Sequence, residues 1–247
     1  MALKKRIIPV LLVKNGYLVR SEKMSVHQVI GNVIDQTKRL NDWNADELLV
    51  LDITKEGDHD TGRRDTGCQP YKTRLEMFKA IAAQVHMPLS FGGGIRTYEE
   101  AAELIRAGAE RVVIRTALDI VPRIAATFGA QAVTICADYT SGWRETDEMA
   151  KSAERLGAGE VILHNVPSDG MATGFDCLQS HLTSLEVGIP VVMLGGAGTD
   201  QHFAEAMTKC PMVSGYAAAN MFNFRERAYP RLKKYLYGKG LNVRPPA

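Results

Sequence analysis

The sequence predicts an α/β protein built as a (βα)8 TIM barrel, and three observations carry that prediction. Short β-branched runs alternate along the chain with longer amphipathic stretches, the pattern of repeated βα units around a parallel sheet. Eight such units fit without a linker into 247 residues, a usual length for one closed barrel. Two segments four units apart, "SFGGGIRTYEEA" and "MLGGAGTDQHFAEA", share an order of apolar strand, glycine turn and helix. Two half-barrels account for that likeness, within a single domain over residues 1–247. A doubly wound open sheet is the rival architecture.

The strand candidates, in order, are "RIIPVLLV", "ELLVLDI", "PLSF", "RVVIR", "AVTICAD", "EVILHN", "PVVML" and "MVSGYAA". Each is short, apolar and followed by a plausible helix, such as "TRLEMFKAIAAQV", "TYEEAAELIRAG" or "DEMAKSAERLGAG". The helix from Thr97 opens with a T-x-x-E capping box, Thr97 with Glu100, and ends at Gly108. The tail "GKGLNVRPPA" reads as an exposed end.

Composition narrows the function classes. The chain is 45% hydrophobic and 23% charged with a net charge of +2, and its cations are spread out, so no footprint for nucleic acid is visible. Cys68, Cys136, Cys177 and Cys210 lie far apart, without a C-x-x-C pair or histidines at zinc-ligand spacing. Reduced thiols in a cytoplasmic protein are expected, with no metal and no cofactor. The basic start and the short apolar run after it end at Lys14 without a small-residue cleavage site, which reads as a first strand and not as an export signal or membrane anchor.

In such a barrel chemistry sits at the C-terminal ends of the strands. The residues there are Leu12 and Lys14, Asp52, Gly92 to Gly94, Arg115 and Thr116, Asp138, His164 and Asn165 with Asp169 and Gly170, Gly195 to Gly198, and Ala219 with Asn220. The turns containing Gly93, Gly94, Gly195 and Gly196 would let backbone N–H groups approach an anion at a helix N-terminus, with Thr116 and Asn220 as added donors. Two such turns point to a substrate with a phosphate at each end, or a long diphosphate; plain tight turns are the structural alternative. Asp52 and Asp138 end strongly apolar runs, where an unpaired carboxylate inside the core is expensive. They are expected to face the mouth as general acid or base with a raised pKa, against a structural hydrogen-bonding role. At the opposite strand ends Arg6, Glu47, Arg111 and Glu160 would form a charged ring around the bottom opening.

These segments, with "KKRIIPVLLVKNG", "FGAQAVTICAD", "LGAGEVILHNVPSDGMATGFD", "AAANMFNF" and the ending "LNVR", resemble the cyclase subunit (HisF) family of imidazole glycerol phosphate synthase nearly end to end. The resemblance implies a barrel of two half-barrels with a HisH-like glutaminase docked on its N-terminal face. Ammonia would enter through a gate matched here by Arg6, Glu47, Arg111 and Glu160, the third being a lysine in the family. It also implies phosphate or substrate binding at Lys14, Asp52, the glycine turns, Arg115, Thr116, Asp169, Gly170 and Asn220, and a general acid/base pair of aspartates. Asp138 matches the second aspartate, but Leu12 stands at the first, and a leucine exchanges no proton. Further departures are Arg115-Thr116, His164-Asn165, Met171 and Asn220, and a loop over 55–72 that is longer and more basic than usual.

The start P-x-L-L-x-K looks like a branch of the family that serves surface-polysaccharide pathways. There the barrel works with a glutaminase and a third enzyme that converts an acetamido sugar, carried on a nucleotide or phosphate, into an acetamidino sugar. That is the leading expectation. The alternatives are the histidine-pathway cyclase, a lyase-type activity with His164 standing in for the missing aspartate, and a barrel that binds ligand or partners without chemistry of its own.

Overall fold

A computed structural model describes residues 3–55, 71–140 and 143–246. The chain opens with strand β1 (Arg6–Lys14), a hairpin of β2 (Tyr17–Glu22) and β3 (Val26–Gly31), helix α1 (Val33–Asp42) and β4 (Leu48–Asp52). It continues through α2 (Arg74–Ala82), β5 (Leu89–Gly92), α3 (Tyr98–Arg106), β6 (Arg111–Ile114), α4 (Val121–Phe128), β7 (Val133–Tyr139) and α5 (Trp143–Arg155). The last elements are β8 (Glu160–Asn165), α6 (Cys177–Glu186), β9 (Val191–Leu194), α7 (Asp200–Lys209), β10 (Gly215–Ala218), α8 (Asn220–Phe224) and α9 (Ala228–Gly238).

All eight predicted strands form, as β1 and β4 to β10, and they pair in parallel in sequence order. The ring closes where Arg6 to Pro9 of β1 pair with Gly215 to Ala218 of β10. Closure removes the free sheet edges that an open sheet would keep, so the doubly wound alternative is excluded. Alternation along β1 explains its unbroken apolar run. Ile7, Leu11 and Val13 join the layer between barrel and helices, while Ile8, Val10 and Leu12 point into the barrel with Leu49, Val113, Cys136, Ile162 and Val192. Both faces of the strand are buried, as in parallel sheets generally.

One expectation fails in the first unit. β1 is followed not by a helix but by the β2–β3 hairpin, which pairs antiparallel to β1 at Leu12↔Val19 and Lys14↔Tyr17. Asn15 and Gly16 take φ of 51° and 80°, the positive values that a two-residue hairpin turn needs, and Asn-Gly is its commonest sequence. The loop over 55–72 falls mostly on residues 56–70, outside the described residues, as does Cys68.

The half-barrel likeness has a structural counterpart. Thr97 and Thr199 each cap a helix by accepting from the backbone N–H three residues on, Glu100 and His202 respectively. The capping box at Thr97 and Glu100 is present in full. Both helices follow a glycine turn, with φ of 98° and 62° at Gly93 and Gly94 and 103° and 89° at Gly195 and Gly196. Among the described residues no helix is long and apolar enough to cross a membrane.

Candidate active site

The two ends of the barrel carry different chemistry. At the N-terminal end, Arg6, Glu47, Arg111 and Glu160 are joined in a chain of ion pairs. Arg6 donates to Glu47 Oε2 at 2.7 Å and to Glu160, and Arg111 donates to Glu47 Oε1 at 2.9 Å. Ser90 and Thr134 complete the ring with hydroxyls to Glu47 and Glu160. Arg6, Arg111 and Glu160 are the first residues of β1, β6 and β8, Glu47 immediately precedes β4, and Ser90 and Thr134 are second in β5 and β7, so the barrel geometry brings them together at one end. Burial pushes the Glu160 carboxyl up, against the opposing charge of Arg6, while Arg6 itself is raised by its two carboxylate partners despite burial.

At the C-terminal mouth the central contact joins two adjacent strands. Register pairs Asp138 of β7 with His164 of β8, and Asp138 Oδ1 lies 2.9 Å from His164 Nδ1. Arg115, beyond the end of β6, donates to Asp138 Oδ2 at 3.0 Å and remains 62% exposed. Cys136, two residues before Asp138 on the same face, is buried with its sulfur 3.5 Å from Asp138 Oδ1. On the far side of the imidazole, Asp169 Oδ1 stands 4.0 Å from His164 Nε2.

The electrostatics correct one expectation. Burial alone would raise the Asp138 carboxyl, but the His164 hydrogen bond and the Arg115 charge outweigh it, and the pKa is lowered. Asp138 is therefore a carboxylate at neutral pH. At Asp169 burial outweighs the favourable contacts with His164, Ser21 and Met24, and the pKa is raised; burial also raises the Cys136 thiol, strongly.

Asp52 does not face the mouth. Leu51 takes the inward position and Asp52 points to the helix layer, where its side chain is fully buried. Its Oδ2 accepts from Arg74 Nε at 3.0 Å and its Oδ1 from the Thr54 N–H. That is the structural role set against catalysis at the outset. Asn220 departs similarly: its amide donates to the Ser21 carbonyl at 2.8 Å and its oxygen accepts from the Ser21 N–H, tying the hairpin to the barrel. Thr116 is exposed, and its carbonyl accepts from Leu118. Leu12 is buried within the interior cluster that includes Cys136.

Both glycine turns are sterically enforced. A Cβ on Gly93 would meet the Asp52 carbonyl at 1.9 Å, and one on Gly196 the Gly174 carbonyl at 1.9 Å. Beside the second turn opens a cavity of about 180 Å³ lined by Asp169, Gly170, Gly195, Gly196, Asn220 and Arg225. In the first half Arg74 lies against Gly94, donating to its carbonyl at 3.1 Å. Lys14 and Lys55 lie near His27, whose pKa is lowered by burial and then by their charges. This part of the rim is therefore positive.

The sequence profile of the histidine biosynthesis protein family matches residues 6–227. The imidazole glycerol phosphate synthase subunit HisF of Geobacillus kaustophilus (strain HTA426) is 34% identical over 261 aligned positions, which cover 97% of this chain and 99% of that protein. The chain belongs to the histidine biosynthesis protein family.

Membership gives the rim its frame. Of the family positions named from sequence, Asp138 and His164 meet directly, Asp169 stands behind His164, and the four residues of the ring join at the other end. The residues that sequence reasoning missed are Cys136, Ser90, Thr134 and Arg74. The first three were findable, because each shares an inward register with a residue already singled out. Arg74 was not, since its link to Asp52 crosses 22 residues and depends on how α2 docks.

Proposed function

We propose that the chain is the cyclase-type subunit of an imidazole glycerol phosphate synthase, an enzyme subunit of the lyase type that receives ammonia from a glutaminase and uses it at the mouth. The name and full-length coverage of the Geobacillus relative support this reading over the surface-polysaccharide one. The observation that carries it is the Asp138–His164 contact. It supplies a proton-exchanging pair where Leu12 has removed an expected carboxylate. Asp138 as carboxylate holds the imidazole in one orientation, and the imidazole accepts or donates the proton as the ring closes. Arg115, Lys14 and the two glycine turns bind the substrate's phosphates.

Ammonia enters at the ring of Arg6, Glu47, Arg111 and Glu160, with a HisH-like glutaminase seated against that face. Above the ring the interior is apolar, lined by Ile8, Val10, Leu49, Val113, Ile162 and Val192. Such a lining admits neutral ammonia far more readily than ammonium, because an unpaired charge there is costly. The test is turnover of the synthase substrate with free ammonia as nitrogen source. Formation of the imidazole product, lost in H164A, supports the reading; no product with ammonia or with a glutaminase sinks it.

A second reading keeps the ring and the glutaminase but delivers ammonia to a third enzyme that makes an acetamidino sugar on a nucleotide or phosphate carrier. Leu12 favours it, as does the ion pair that engages Asp138 with Arg115. Under this reading D138N leaves amidination unchanged.

A further inference from the structure

We propose that Cys136, Asp138 and His164 form a binding site for a single zinc-like divalent cation at the C-terminal mouth of the barrel. One donor atom from each, Sγ, a carboxylate oxygen and a ring nitrogen, lie within 4.8 Å of one another. The fold imposes this. Cys136 and Asp138 are two apart on β7 and so share the inward face, and His164 is the register partner of Asp138 on β8. The sequence gives no hint in its spacing, because the histidine is 26 residues from the aspartate and joins it only across the sheet.

The separation of the two donors on β7 already suits a tetrahedral cation. Zinc bonds to sulfur, nitrogen and oxygen imply donors about 3.4 to 3.6 Å apart, and Cys136 Sγ stands 3.5 Å from Asp138 Oδ1. The His164 to Asp138 separation of 2.9 Å is that of a hydrogen bond, and it opens by a few tenths of an ångström when a cation replaces the shared proton. The mixed sulfur, nitrogen and oxygen set matches zinc or cobalt and not the all-oxygen preference of magnesium or calcium.

A second observation points the same way. Metal-bound histidines commonly offer their other ring nitrogen to a carboxylate. Asp169 Oδ1 lies 4.0 Å from His164 Nε2, and Asp169 Oδ2 is buried with no hydrogen-bond partner among the described residues. Arg115 uses the other oxygen of Asp138 and is 62% exposed, so it swings away from an incoming cation without disturbing the core. Three protein ligands leave a position for water, as in open zinc sites. The site uses residues of the proposed function but does not rest on it.

The experiment is titration of the purified chain with Co²⁺ alone, followed by its visible and near-ultraviolet spectrum, with Zn²⁺ as competitor. The expected result is saturation at one equivalent, tetrahedral ligand-field bands, a thiolate-to-cobalt charge-transfer band, and loss of all of these on adding Zn²⁺. C136S abolishes the charge-transfer band, while C68S/C177S/C210S retains it. Asp169→Asn, which leaves all three ligands in place, weakens Co²⁺ binding by roughly 10- to 100-fold. A band that survives in C136S, or no saturable binding at one equivalent, overturns the proposal. Because no substrate or glutaminase is present, failure of the titration leaves the cyclase reading untouched.

Discussion

Asp138 Oδ1 and His164 Nδ1 stand 2.9 Å apart across two adjacent parallel strands. A carboxylate held below its usual range beside an imidazole is the arrangement that orients a histidine for proton transfer. D138N and H164A are each expected to lower turnover by roughly 100- to 10,000-fold. Because the two act as a unit, the double variant loses little more than the worse single one. Steady-state rates with saturating ammonia measure this, and additive losses contradict it.

Leu12 is 2% exposed and packs in the interior cluster with Val10, Val19 and Leu49. Leu12→Asp places a carboxylate among these without a partner and is expected to destabilise the fold by about 2 to 4 kcal/mol at neutral pH. The new group's pKa is raised by burial, so stability should recover as pH falls through that raised value. Urea unfolding at neutral and mildly acidic pH reads both effects.

The ring at the other end predicts a stability effect without a chemical one. Glu47 is 3% exposed and accepts from Arg6, Arg111 and Ser90. Glu47→Ala leaves the partly buried guanidinium charges of Arg6 and Arg111 poorly compensated and is expected to cost about 2 to 3 kcal/mol. Denaturant unfolding measures it, and activity with free ammonia, which bypasses the entrance, should be retained below the unfolding transition.

Asp138 and Glu160 should titrate with opposite signs. The Asp138 pKa is lowered, so its stabilising contribution is present above the ordinary carboxylate range and is lost as pH falls through the lower folded value. The Glu160 pKa is raised by burial, so ionised Glu160 disfavours the fold, and stability is regained as pH falls through the raised value. Relative to wild type, D138N is therefore less stable at neutral pH and converges at strongly acidic pH. E160Q is as stable as wild type or more so at neutral pH, and the gap closes on mild acidification. Tm against pH for the two variants tests this, and shifts of the same sign would refute it.

Gly93 offers a purely steric prediction. With φ of 98° and a Cβ position 1.9 Å from the Asp52 carbonyl, Gly93→Ala has no room and an unfavourable backbone. A loss of about 3 kcal/mol or more is expected, measurable by thermal unfolding. Gly108→Ala, where the Cβ meets nothing within 4 Å, should lose only the smaller backbone part.

The barrel was legible in the sequence because period and length are local and additive. Eight buried strands with amphipathic helices between them leave few ways to close. The ring of Arg6, Glu47, Arg111 and Glu160 was legible for the same reason, since the first residue of an inward register must face the bottom opening. The hairpin after β1 was not recognised, although Asn15-Gly16 is a strong turn signal, because the β2 and β3 segments carry as many polar as apolar residues. Asp52 was misread because one residue of register decides whether a strand-end carboxylate meets the mouth or a helix. Asp138 was placed well, but its pKa direction depends on Arg115 and His164, and both contacts lie across strands.

Complementation of a histidine auxotroph that lacks the cyclase subunit tests the central claim most directly. The account predicts growth without histidine when this chain is expressed with a glutaminase partner, and none when H164A replaces it. Failure of the wild-type chain to restore growth, while it still binds the glutaminase and stimulates glutamine hydrolysis, would contradict the cyclase reading and leave the acetamidino-sugar reading in its place.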